Sequence, residues 1–106
     1  MENDKKVICF DFDGVIHRYS NGWQNGKVYD PPMEGAINGI KDLQKKGYKI
    51  VICTCRDGDF LENAKLWLSE NEIKDVELTN IKPKAIAYID DKGIRFTDWK
   101  DILNRF

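Results

Sequence analysis

Three runs of consecutive apolar residues, each stopped by a polar one, set the frame of this chain. Val7-Ile8-Cys9-Phe10 ends at Asp11, Ile50-Val51-Ile52-Cys53 at Thr54, and Ala85-Ile86-Ala87-Tyr88-Ile89 at Asp90. A strand with one wet face alternates apolar and polar residues, whereas unbroken runs of four or five predict strands buried on both faces, as in a parallel sheet. Between the first two runs, Pro31-Pro32 precedes a segment in which Met33, Ala36, Ile37, Ile40 and Leu43 share one helical face, and Gly47 supplies the stop. After Thr54, Asp59-Phe60-Leu61-Glu62 has the form of a capping box, and Phe60, Ala64, Trp67 and Leu68 follow at helical spacing. Val76-Glu77-Leu78 and Ile94-Arg95-Phe96 predict short outer strands, and Asp98 to Phe106 a closing helix. Alternation of this kind predicts an α/β fold, a doubly wound three-layer sandwich with a mostly parallel central sheet, whose ligands bind at the carboxyl ends of the strands.

One stretch breaks the alternation. His17 to Asp30 carries Asn21-Gly22 and Asn25-Gly26 turn signals around Trp23 and has no helical period, which predicts a hairpin-like flap within about residues 14–32. His17, the one histidine, reads as a packing or surface residue of that flap rather than a catalyst.

Composition narrows the classes. At 106 residues the chain is the size of one domain, and 42% hydrophobic with 11% aromatic residues is too apolar for disorder. Seventeen Lys and Arg against eighteen Asp and Glu leave a net charge of −1, so no general positive field holds a polyanion, and a nucleic-acid partner is not expected. No apolar run approaches the roughly 20 residues of a membrane span; an odd cysteine count (Cys9, Cys53, Cys55), with two of them two positions apart in a strand where a mutual disulfide would be strained, suits a reducing cytoplasm, and one histidine without a Cys-x-x-Cys pair leaves too few ligands for structural zinc. Cys53 and Cys55 read as small buried residues rather than nucleophiles.

The sharpest chemical signal is Asp11-Phe12-Asp13-Gly14, where a buried strand delivers two carboxylates beside a glycine at the edge where sheet ligands bind. A calcium loop is the rival for alternating acids. Counted from Asp11, its sixth position should be Gly and is Ile16, and its twelfth should be a bidentate Glu and is Gly22. The ordered set of a strand into Asp-x-Asp-Gly, a second into Thr54, a lysine at Lys82 or Lys84 and a third strand into Asp90-Asp91 resembles the haloacid dehalogenase-like hydrolase superfamily. The likeness spans Val7 to Asp91 and is greatest to small capless phosphatase-like members of bacteria and phages.

That resemblance implies a Rossmannoid domain over residues 1–106 without a cap, and Mg²⁺-dependent hydrolysis of phosphate monoesters. Asp11 would be the nucleophile that becomes an aspartyl-phosphate, and Asp13 the acid and then the base. An acid at position 13 favours phosphatase over the ATPase branch. Asp11, the Asp13 backbone carbonyl, Asp90 and, through water, Asp91 would hold Mg²⁺. Thr54, Lys82 and the Gly14 backbone would bind the substrate phosphate, with Lys82 preferred over Lys84 by the Lys-Pro that precedes the Asp-Asp strand in related short members. Arg56 reads as a partner of Asp57 or Asp59.

Neither His17 to Asp30 nor Asn71 to Ile81 is long enough for a cap, so an open site is expected. Such a site suits a phosphorylated small molecule or an exposed phosphate on a larger substrate. Trp23, Tyr19 and Tyr29 either pack the flap onto the body, the favoured reading, or stack on a base or sugar. A nucleotide or polynucleotide-end phosphatase is the alternative enzyme, and a non-catalytic metal- and phosphate-binding module the alternative of another class.

Overall fold

A computed structural model of the protein describes residues 6–90 and 94–106. The strands β1 (Val7–Asp11), β2 (Lys49–Cys53), β3 (Val76–Thr79), β4 (Ala87–Asp90) and β5 (Ile94–Arg95) pair in the order β3-β2-β1-β4-β5, every pair parallel. With the helices α1 (Ala36–Lys45), α2 (Gly58–Glu70) and α3 (Trp99–Arg105), the architecture is the α/β Rossmannoid that the apolar runs predict. The third run enters the ladder two residues late, at Ala87, after Ile86 has donated its N–H to the Val7 carbonyl.

Register explains why unbroken runs were needed. Ile8 lies beside Ile50 and Ala87, and Phe10 beside Ile52 and Ile89. These side chains join Ala36, Ile40 and Leu43 of α1, Ala64 and Leu68 of α2, and Trp99 and Ile102 of α3 in one core. Cys9 and Val51, on the alternate face, are equally buried. There the strap of residues 80–86, between β3 and β4, forms the third layer. The Tyr88 hydroxyl donates to the Pro83 carbonyl, and the Lys82 ammonium sits 4.8 Å from the Tyr88 ring centroid.

Two local expectations change. Helix α2 starts at Gly58 behind Asp57, so Asp59 lies in the first turn rather than at a capping box, and its acidic charge meets the positive helix end instead. Phe60, in the first turn, is 44% exposed rather than core. Helix α3 does have its cap, since the Asp98 side chain accepts the Asp101 N–H at 2.8 Å.

The flap is a looped excursion closed at its base rather than a regular hairpin. His17 bridges Pro32 in antiparallel fashion, Arg18 donates its N–H to the Pro31 carbonyl, and Met33 donates to the Ile16 carbonyl at 2.7 Å. A single 3₁₀ turn, Gln24–Gly26, stands at the tip. At the flap's start Gly14 has φ +80°, and a Cβ there would meet nothing within 4 Å, so backbone conformation rather than space requires glycine.

Candidate active site

The chain runs outward from β1 to β2 to β3 and then returns to the other side of β1 to lay down β4. The strand order therefore reverses between β1 and β4, and in open α/β sheets the ligand crevice forms outside the carboxyl ends of the strands at such a reversal. The last residues of these two strands are Asp11 and Asp90. A cleft of about 530 Å³ opens there, and its walls include Asp11, Asp13, Thr54 and Lys82 with Tyr19, Trp23, Cys55 and Asn80.

Arg56 organises this end of the sheet. It is 2% exposed, and its five N–H groups are all engaged. Nη1 and Nη2 clasp the Asp13 carboxylate at 2.8 and 3.1 Å, and Nη1 also donates to Thr54 Oγ1 at 3.0 Å. Nε donates to the Gly26 carbonyl at 2.7 Å and Nη2 to the Lys27 carbonyl at 3.3 Å. The guanidinium also lies against the rings of Phe12 and Trp23, 5.1 and 4.9 Å from their centroids. The expected pairing of Arg56 with Asp57 or Asp59 is thus corrected. Asp13 presents a planar carboxylate to a planar fork in a sheltered place, where a bidentate pair outcompetes an exposed one.

His17 is the second partner of Asp13. It is fully buried, stacked on Phe12 and edged by Tyr29 and Trp67. Nε2 accepts the Asp30 N–H at 3.1 Å, and Nδ1 on the other side of the ring donates to Asp13 Oδ1 at 2.9 Å. Burial pushes the Asp13 carboxyl up, but the hydrogen bonds from His17 and Arg56 together outweigh it and hold the group below its ordinary value. Asp13 is therefore a carboxylate at neutral pH with both oxygens already engaged.

Thr54 is nearly buried, and its hydroxyl oxygen accepts from the Arg56 backbone N–H at 3.3 Å as well as from Nη1. With its oxygen accepting twice, its proton is left to donate towards an oxygen in the cleft. Lys82 reaches the site from the strap, donating to Asp90 Oδ2 at 2.8 Å. That bond, assisted by the charges of Asp90 and Asp11, raises the lysine above its ordinary value, so it stays cationic. Both lysines are exposed, and it is Lys82 that lines the cleft and bonds Asp90.

Three expectations fare differently. The Gly14 N–H donates to the His17 carbonyl at 2.7 Å, so it closes the flap turn and is not available to a phosphate. Asp91 lies outside the described residues. Cys55 is exposed at the cleft rather than buried, because β2 ends at Cys53 and the chain turns. Cys53 and Cys9 face each other with sulfurs 2.7 Å apart, and burial raises both thiols, which leaves them protonated and poor nucleophiles. Asn80, which sequence reasoning missed, follows β3 and ties the cleft wall to the Arg56 carbonyl at 3.3 Å.

Among the described residues no three His, Cys, Asp or Glu side chains form a metal-binding group on their own. The donors available at these strand ends are hard oxygens, the carboxylates of Asp11 and Asp90 and the backbone carbonyl of Asp13. They fit Mg²⁺, which keeps several waters and takes one or two carboxylates together with substrate phosphate, better than a cation needing a full protein cage.

Neither a family model nor a curated protein matches the sequence. Among solved structures, a conserved protein from Bacteroides thetaiotaomicron superposes with a TM-score of 0.69 at 22% identity, over 93% of this chain and 87% of that one. At that identity the likeness establishes the α/β fold.

Proposed function

We propose that this protein is a Mg²⁺-dependent phosphatase of the haloacid dehalogenase type that hydrolyses phosphate monoesters through an aspartyl-phosphate on Asp11. The observation that supports it most is the convergence of Asp11, Asp13, Thr54 and Lys82, from three separate segments, on one cleft at the sheet's reversal point, with Asp90 at the neighbouring strand end bonded to Lys82. A phosphate dianion approaching a carboxylate must have its charge offset, and Lys82 with the Thr54 hydroxyl supplies part of that on the phosphoryl oxygens. Mg²⁺ held by Asp11, the Asp13 carbonyl and Asp90 would supply the rest as a counter-charge.

In the first half-reaction an Asp11 oxygen bonds to phosphorus while the ester P–O bond breaks, and a poor leaving oxygen takes a proton that Asp13, held as the carboxylate at rest, first gains from solvent. In the second, Asp13 accepts a proton from the water that attacks phosphorus, the Asp11–phosphoryl bond breaks, and inorganic phosphate leaves. Arg56 and His17 keep Asp13 ionised, which presets the base of this second step.

The test is intact mass. Asp13→Asn mixed with an aryl phosphate and Mg²⁺ should accumulate one phosphoryl adduct mapped to Asp11, because an activated leaving group needs no acid and the base is missing. Asp11→Asn should carry none, and EDTA should abolish turnover by the parent. An adduct on another residue, or turnover by Asp11→Asn, removes the assigned roles. Absence of metal-dependent hydrolysis across a panel of esters leaves a non-catalytic phosphate-binding module instead.

A further inference from the structure

The flap spends conformational energy to hold aromatic side chains at the mouth of the cleft. Tyr19, Gln24 and Asn25 have φ of +61°, +46° and +57°, the left-handed region that disfavours a side-chain-bearing residue. Gly26 has φ +83°, and a Cβ there would come within 3.3 Å of the Trp23 ring. The Tyr29 hydroxyl pins the loop before Trp23, accepting from the Asn21 N–H and donating to the Gly22 carbonyl, both at 2.8 Å. Tyr29 and Trp67 thus pack the flap to the body, and Trp67 Nε1 donates to the Asp30 carbonyl at 3.0 Å.

Trp23 does not join that packing. Its indole is 44% exposed, lines the cleft together with Tyr19, and has the Arg56 guanidinium beside it. That guanidinium is hydrogen-bonded on all its donors, so it fixes the ring and is not free to bind a ligand's charge. An indole held in a strained loop with nearly half its surface open to the cleft, one face fixed by the guanidinium, offers apolar area that a ligand ring can cover. The same guanidinium clasps Asp13, so the indole stands one planar group away from the acid-base carboxylate.

We infer that Trp23, with Tyr19, is a stacking platform for a planar aromatic or heteroaromatic ring in the leaving group of the substrate, a small monophosphate ester. This rests on the phosphatase reading for the position of the phosphoryl group, and it adds the class of molecule to which that group is attached. Charge limits the size. Among the described residues that line the cleft Lys82 is the one cation, and it already serves Asp90, so no basic track follows a polyanionic strand. A mononucleotide and a ring-bearing alkyl phosphate share the required chemistry.

The experiment compares esters whose leaving oxygens are alike and which differ in the ring: a nucleoside 5′-monophosphate against ribose 5-phosphate, and benzyl phosphate against a simple alkyl phosphate. Stacking on an aromatic side chain should favour the ring-bearing member in kcat/KM by about 10- to 100-fold. Trp23→Leu, which keeps an apolar side chain without a π face, should lose most of that ratio, and Trp23→Phe should retain it. Preference within the first pair alone marks a nucleotide, and within both a ring of any kind. Calorimetry of the nucleoside monophosphate with parent and Trp23→Leu gives a readout independent of turnover.

Hydrolysis that is metal-dependent but indifferent to the ring, or a preference that survives in Trp23→Leu, overturns the platform and leaves the phosphatase standing. Binding that weakens about tenfold in Trp23→Leu without hydrolysis of any ester keeps the platform and removes the phosphatase. Neither binding nor hydrolysis removes both.

Discussion

Replacing Arg56 with Met is the most informative perturbation of the site's framework. Methionine keeps much of the apolar stem against Phe12 and Trp23 while deleting every donor. The Asp13 carboxylate loses its two-point partner, and the Gly26 and Lys27 carbonyls and Thr54 Oγ1 lose a donor. Removing one side of a buried ion pair costs about 3–5 kcal/mol. The Asp13 side chain is still 18% exposed, so water relieves part of the loss, and His17 remains bonded to it, which together set the expectation at the lower end, about 3 kcal/mol. With an m-value near 1.5 kcal/mol/M for a domain of this size, the urea midpoint should fall by about 2 M.

The pairing itself is isolated by a double-mutant cycle with Asp13→Asn. Asp13→Asn should cost about 1.5 kcal/mol less in the Arg56→Met background than in the parent, because the carboxylate it removes is by then uncompensated. Arg56→Lys should recover only part of the loss, since an ammonium carries the charge but not the fork. A midpoint shift for Arg56→Met below about 0.5 M, or two substitutions that simply add, would refute the role given to this arginine.

Two further outcomes follow from the geometry. Gly39 faces Trp99 so closely that a Cβ would lie 2.4 Å from the indole. Trp99 is nearly buried and donates its ring N–H to the Val15 carbonyl at 3.2 Å. Gly39→Ala should therefore destabilise by about 1–3 kcal/mol despite the better helix propensity of alanine, and an unchanged or raised melting temperature would show that α1 and α3 separate without cost. Because the folded-state value of Asp13 lies below its ordinary 3.8, its contribution to stability is present above that value and is lost as pH falls through the folded one. Urea midpoints measured from about pH 5 down to about pH 2 should fall more steeply for the parent than for Asp13→Asn, and parallel curves would mean that Asp13 is not held ionised by its partners.

The pattern of apolar runs was sufficient to determine the parallel sheet, because a strand covered on both faces has no solvent side on which to place a polar residue. The same runs located Asp11, Thr54 and Asp90, since each stops where a central strand leaves the core. Those positions depend on burial along one strand, a property local enough to be written in consecutive residues. The partners of Asp13 are not of that kind. Arg56 lies 43 residues away and has two acids at Asp57 and Asp59 beside it in the chain; only the fold excludes them, by turning the guanidinium beneath the flap. His17 is four residues from Asp13, but the left-handed turn at Gly14 and the closure of the flap on Pro32 are what bury it against the carboxylate. Trp23 and Tyr29 are alike as aromatic residues of one loop, and tertiary hydrogen bonding alone sent one into the scaffold and left the other at the cleft. Hydrophobic periodicity reports which face of an element is covered, whereas the pairing of charges across a site depends on where separate elements meet.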